Sequence, residues 1–249
     1  LPPPNNLNLF NTESERVFGY APDRIVTCGE KLKSVFSVYD KDGNYNVGAS
    51  FRYDYLRALI NYDEIHSGDI RKHRVVSVIL PYSEPISRHV LDLSKKAIHN
   101  AIANGWNIKI KLHPTLTKSD SVTLLREYDM KSDSIELTYD DMELLLPETS
   151  AIITSASSVA MEAVCLGIPV VSIGTPIGLD FNMLDYLPSS MWRFAITDGD
   201  VESGLNEWAL CHPIAFEERR EIGRKVLVGF FGEDTNESLK GFMESLISM

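Results

Sequence analysis

Cysteine is scarce in this 249-residue chain: Cys28, Cys165 and Cys211 are odd in number and widely spaced. They form neither a disulfide framework nor a zinc-ligand pattern, so the sequence points to a reducing compartment. Long apolar runs are missing too. No stretch reaches the roughly 18 residues needed to span a bilayer, and no signal peptide is visible. Positive charge is in short supply. Lys and Arg total 24 against 35 Asp and Glu, a net charge of −11, which excludes a broad basic surface for nucleic acid or an anionic membrane. A small basic or dipolar pocket for one phosphate stays possible. The sequence also lacks G-x-G-x-x-G, the G-x-x-x-x-G-K-[ST] phosphate loop and the G-x-S-x-G nucleophile elbow. His66 and His73 stand in a polar stretch without zinc-like spacing, and His89, His99 and His212 read as surface or helix-packing residues. No metal site is expected.

What is present is ordinary globular material, 44% hydrophobic and 24% charged, in a chain long enough for one large α/β domain or two small ones. Leu1 to Arg16 is Pro- and Asn-rich and reads as an arm or linker, and the start at Leu1 suggests a piece of a longer protein. Residues 17–74 contain two short strands (24–29 and 45–49) and helical stretches at 30–39 and 51–60. Residues 61–74 are polar and without period, the expected boundary. From 75 onward strand and helix alternate. Strands are expected at 75–80, 106–112, 135–139, 151–154, 170–173 and, at an edge, 192–197. Helices are expected at 87–104, 121–128, 141–146, 159–166, 201–210, 216–230 and 236–249. That alternation predicts a doubly wound α/β fold with a parallel sheet, in a domain covering 75–249.

The chain is organised around residues 150–174. Ala151-Ile152-Ile153-Thr154 suits a strand buried on both faces. Thr154, Ser155, Ser157 and Ser158 crowd the start of the next helix, where hydroxyls cap free backbone N–H groups. Gly167 and Pro169 end that helix, and Val170-Val171-Ser172-Ile173 forms the next strand. A helix N-terminus at the carboxyl end of a parallel strand favours an anion, although four hydroxyls can equally do nothing but cap. His113-Pro114 ends an earlier strand, so the topology brings His113 to the same sheet edge, where it could donate to a phosphate oxygen or assist a leaving group. Glu162, one turn after Ser158, could reach a ribose hydroxyl or hold a structural place. Ser83, in the loop after the first core strand, and Tyr139, at the end of the 135–139 strand, are further ligand-facing candidates.

His113-Pro114, the run Ile152-Ile153-Thr154-Ser155-Ala156-Ser157-Ser158, then Glu162-Ala163 and Leu166-Gly167-Ile168-Pro169-Val170 together resemble the C-terminal, donor-binding half of GT-B glycosyltransferases. The His-Pro and Ser-Ser pair is most similar to bacterial CMP-sugar-dependent sialyltransferases and Kdo transferases. The resemblance covers about residues 75–249. It implies a Rossmann-like fold, a CMP-activated donor such as CMP-Kdo or CMP-sialic acid as substrate with no further cofactor, and a saccharide or glycolipid acceptor in surface-polysaccharide synthesis. It also implies a cytoplasmic location, at the inner face of the plasma membrane if regions outside this sequence associate with it. Its phosphate contacts fall on His113 and on Ser157 and Ser158, with Pro114 and Ser155 beside them. The family's catalytic acidic base belongs to an N-terminal domain, and no motif resembling it occurs before residue 75. UDP-sugar transferases, UDP-N-acetylglucosamine 2-epimerases and CDP-glycerol polymerases have similar second halves, and a non-catalytic domain that keeps the fold is a further alternative.

Overall fold

The structure is a computed structural model that describes residues 12–48, 50–65, 74–114, 123, 127–128, 133–155, 157–175, 183–209, 213–232, 236, 239–240 and 243–244. The helices expected at 121–128 and 236–249 fall largely outside these residues, as do His66, His73, Cys211 and His212.

The chain opens with a short helix α1 (Glu13–Val17), strand β1 (Ile25–Thr27), helix α2 (Glu30–Phe36) and strand β2 (Tyr45–Val47). α1 stands at the end of the stretch read as an arm, and a capping box between Thr12 and Glu15 starts it. β1 and β2 form a separate parallel pair. A 3-10 turn (Phe51–Tyr53) then leads into α3 (Asp54–Ile65). α3 therefore continues through 61–65, where the sequence pattern indicates an aperiodic boundary.

The main sheet begins at β3 (Val75–Ile79), followed by α4 (Glu84–Ala103), β4 (Asn107–Lys111), β5 (Ile135–Thr138), α5 (Met142–Leu145) and β6 (Ala151–Thr154). It continues with α6 (Ser158–Cys165), β7 (Val170–Ile173), β8 (Trp192–Ala195), α7 (Asp198–Ala209) and α8 (Pro213–Phe231). The six strands lie in the order β5-β4-β3-β6-β7-β8 and every pair is parallel. Counted from β3 this is the 3-2-1-4-5-6 order of a dinucleotide-type doubly wound sheet, as expected for the fold class.

Burial follows sequence pattern. Every residue of β3, β6 and β7 is buried, which is why these strands read as unbroken apolar runs. One face of the sheet packs Val90, Leu91, Val201 and Leu205 from α4 and α7. The other packs Met161, Val164, Val226 and Phe230 from α6 and α8. α6 ends as its sequence indicated. Gly167 has φ +77°, and the N–H groups of Gly167 and Ile168 return to the carbonyls of Val164 and Ala163, each at 3.0 Å, a Schellman closure.

The segment before the sheet is fastened to α6 and α8 by several side chains. Tyr55 donates to Glu162 of α6. Arg57 donates to the carbonyls of Phe231 (2.6 Å) and Gly232 (2.8 Å) at the C-terminus of α8, where a cation meets the negative end of the helix dipole. Ser50 donates to the Phe231 carbonyl at 3.0 Å, and the Tyr53 and Phe231 rings lie 4.1 Å apart.

Candidate functional site

The strand order reverses between β3 and β6, and a parallel sheet binds its ligands outside the carboxyl ends at such a point. A cleft of about 290 Å³ lies there. It is lined by the ends of three strands: Ile79 and Leu80 at the end of β3, Lys111 through His113 at the end of β4, and Thr154 at the end of β6. The N-terminus of α6, with Ser157, Ser158 and Val159, also lines it, as does Arg52 from the 3-10 turn.

Local bonding explains how each group is aimed. Leu80 N–H bonds the Lys111 carbonyl at 3.0 Å and Leu112 N–H bonds the Thr138 carbonyl at 3.1 Å, carrying the ladder past β4 to His113. Pro114 then stops it. Thr154 Oγ1 donates to the Ile79 carbonyl at 3.2 Å and locks the ends of β6 and β3 together. Ser157 is the N-cap of α6, and its Oγ accepts from Val159 N–H at 3.3 Å. Capping by the hydroxyls, the alternative to a ligand role, is thus real at Ser157, while Thr154 braces the sheet.

His113 is half-buried, with its ring edge-on to Tyr82 at 6.1 Å. Lys111 donates to the Asp140 carbonyl, and burial pulls its ammonium below the ordinary lysine range. Arg52 donates from Nη2 to Ser158 Oγ at 3.4 Å. Among the described residues no carboxylate lines the cleft, although Asp141 and Asp140 lie close enough to favour the charged form of Lys111.

His113, Pro114, Ser157 and Ser158 of the sequence candidates therefore meet in one cleft. The other four stand elsewhere. Ser155 is buried. Glu162, only 3% exposed, faces the interior and accepts from Tyr55. Ser83 is the N-cap of α4 with no side-chain capping bond. Tyr139 is 43% exposed just after β5, on the far side of β4 from the cleft. Arg52 and Lys111 are lining residues that sequence reasoning missed. Lys111 precedes His113-Pro114 by two and was legible as a strand-end cation, whereas nothing local in sequence ties Arg52 to Ser158, 106 positions on.

Cys28 and Cys165 are free thiols, and burial raises the pKa of both. Among the described residues no helix is long and apolar enough to cross a membrane, and no three His, Cys, Asp or Glu side chains are gathered as a metal site would require.

No protein-family model matches the sequence, nor does any curated protein sequence. Solved structures do match. A glycosyltransferase from Rickettsia africae ESF-5 superposes with a TM-score of 0.56 at 11% identity, over 96% of this chain and 67% of that one. Alr3699/HepE of Anabaena, in complex with UDP-glucose, gives 0.54 at 12% identity, over 91% and 64%. The wall teichoic acid polymerase TagF gives 0.51 at 14% identity, over 91% and 57%. The chain thus spans between 57% and 67% of the length of these proteins. Identities this low carry architecture alone, and the architecture is the Rossmann-like fold of GT-B glycosyltransferases.

Proposed function

We propose that this chain is the donor-binding part of a GT-B glycosyltransferase, with the phosphate of a nucleotide sugar seated between His113 and the N-terminus of α6. The observation that carries the proposal is the charge of the cleft. It gathers Arg52, Lys111, His113 and a helix N-terminus, with no carboxylate among the described lining residues, in a chain of net charge −11. Such a site favours an anion.

In the proposed reaction an acceptor hydroxyl oxygen bonds to the anomeric carbon as the bond from that carbon to the nucleotide's phosphate oxygen breaks. Negative charge collects on the departing phosphate. His113 and the N–H groups at the start of α6 offset it where it develops, which is how fixed dipoles accelerate a reaction. A base must take the acceptor's proton, and we assign that role to no residue of this chain. The His-Pro and Ser-Ser motifs support a CMP-activated donor, CMP-Kdo or CMP-sialic acid, and an acceptor saccharide or glycolipid of bacterial surface polysaccharide. A UDP-sugar donor is the second reading, favoured by the likeness of fold to HepE, whose structure contains UDP-glucose.

A thermal-shift titration with CMP, CDP, UMP and UDP tests both. A ligand that binds only the folded chain stabilises it by mass action, about 2.7 kcal/mol at a hundred times its Kd. The expected result is selective stabilisation by CMP that weakens in His113→Ala and Ser158→Ala. Preference for UDP moves the donor to the UDP sugars, and no shift with any nucleotide overturns the donor site.

A further inference from the structure

Most described arginines of this acidic chain are paired with acids. Arg16 pairs with Asp40, Arg57 with Asp54, Arg88 with Glu84 and Glu127, and Arg193 with Glu207. Arg52 differs. It is exposed, it lines the cleft, and among the described residues no carboxylate pairs with it. Its guanidinium has two described contacts: the 3.4 Å bond to Ser158 Oγ and the face of the Tyr53 ring, 5.5 Å away.

We propose that Arg52 is a ligand of the donor's phosphate, so that the segment before the sheet completes a site that the sheet only half builds. This rests on the cleft being the donor-phosphate site. A planar guanidinium presents paired N–H donors that match two phosphate oxygens. The bond it now makes, long and to a neutral hydroxyl, is weak, so exchanging it for a charge-assisted pair loses little. The contact also places Arg52 at the first residue of α6, where the helix N–H groups face the same anion.

Residues 53–57 fix the position of Arg52. Within five residues the chain is tied to α6 through Tyr55 and Glu162, and to the C-terminus of α8 through Arg57 and the Tyr53 ring. Those ties hold the backbone beneath Arg52 while its side chain stays free to turn toward a ligand. Preorganisation of this kind reduces the entropy lost on binding. Although the six-stranded sheet begins only at Val75, the functional unit then includes residues 52–57.

The experiment is calorimetric titration of the full chain, Arg52→Ala and Arg52→Lys with CMP and UMP, each compared with its uncharged nucleoside, cytidine or uridine. Binding of the nucleosides is read by saturation-transfer NMR where heat is too small. The expected result is a loss of about tenfold to a hundredfold in nucleotide affinity for Arg52→Ala, the range for a hydrogen bond to a charged group. Nucleoside affinity stays unchanged and Arg52→Lys recovers part of the loss. If the wild-type chain binds nucleotide and Arg52→Ala binds it equally well, Arg52 is not a ligand, while the donor-site reading survives. Equal losses for nucleotide and nucleoside also overturn the proposal, because the arginine then supports the site without touching phosphate. If no nucleotide binds the wild-type chain, the donor-site reading falls and this inference falls with it.

Discussion

Tyr55→Phe is the substitution that best tests how the leading segment is held. The ring stays and packs as before, and only the hydroxyl that donates to Glu162 is lost. Glu162 is 3% exposed, so water cannot simply take the donor's place. Hydrogen bonds to charged groups contribute about 1.5–3 kcal/mol, and a buried acceptor left alone costs about as much. We therefore expect Tyr55→Phe to lose about 2 kcal/mol, near the middle of that range. For a domain of this size, at about 2–4 °C per kcal/mol, the melting temperature falls by about 4–8 °C. Urea unfolding supplies the free energy, read as a change of midpoint at constant slope. The double variant Tyr55→Phe, Glu162→Met removes both partners and fills similar volume. It should recover part of the loss, because it leaves no carboxylate buried alone. The pH dependence has a definite sign. Burial and the bond to Glu162 raise the Tyr55 pKa. The stabilisation is therefore complete below the ordinary tyrosine range near 10 and fades as pH rises through the raised folded value. The gap between wild type and Tyr55→Phe should narrow only in strong alkali. A loss below about 0.5 kcal/mol, or additive effects in the double variant, would refute the reasoning by showing that Glu162 has another source of hydrogen bonds.

Two further predictions concern packing and capping. A Cβ added at Gly223 of α8 would lie 2.5 Å from the Cys165 carbonyl oxygen and 2.6 Å from that of Val164. Gly223→Ala should cost about 2 kcal/mol, since overpacking against backbone outweighs the roughly 1 kcal/mol gained in helix propensity; an unchanged calorimetric melting temperature would mean that the two helices can separate freely. Asp200 accepts from the N–H groups of Ile196 and Thr197 and from Thr197 Oγ1, bonds that lower its pKa. Its contribution is therefore present above the ordinary aspartate range and lost as pH falls through the lowered folded value. Asp200→Asn should be less stable than wild type at neutral pH and converge with it in acid, and a constant difference across a pH series of melts would contradict this.

Much of the sheet was legible because its central strands leave no face to water. Val75–Ile79, Ala151–Thr154 and Val170–Ile173 had to read as apolar runs. Parallel topology alone then carried His113 and Ser157 to a common edge. Capping chemistry was equally legible at Ser157 and Gly167. Apolar spacing starts α7 at Val201 instead of Asp198, although Thr197 and Asp200 form a reciprocal cap visible as T-x-x-D. The end of α3 is hidden because Asn61, Asp63 and Glu64 interrupt its apolar spacing. Glu162 does lie one turn from Ser158, but sequence cannot say which side of a helix meets a partner such as Tyr55 from a distant segment. Arg52 illustrates the same limit. Its place in the cleft depends on a contact with Ser158, 106 positions on in sequence.

The cleft and the chain around it carry opposite charge, and distance decides which one a ligand meets. Screening at physiological ionic strength confines the field of exposed charges to about 8 Å, so the more distant acidic surface has little effect on an anion already in the cleft. Inside, Ile79, Leu80 and Val159 line the walls and displace water, which strengthens each polar contact that remains. Lys111 registers that environment directly: desolvation lowers its pKa, partly offset by Asp141 and Asp140. A phosphate beside it would act in the opposite direction by favouring the charged ammonium. Anion binding and protonation of Lys111 are therefore linked with positive sign, each making the other more favourable. An acidic protein can hold a phosphate in this way without a basic surface, provided that its few cations are collected in a cleft whose described lining contains no carboxylate.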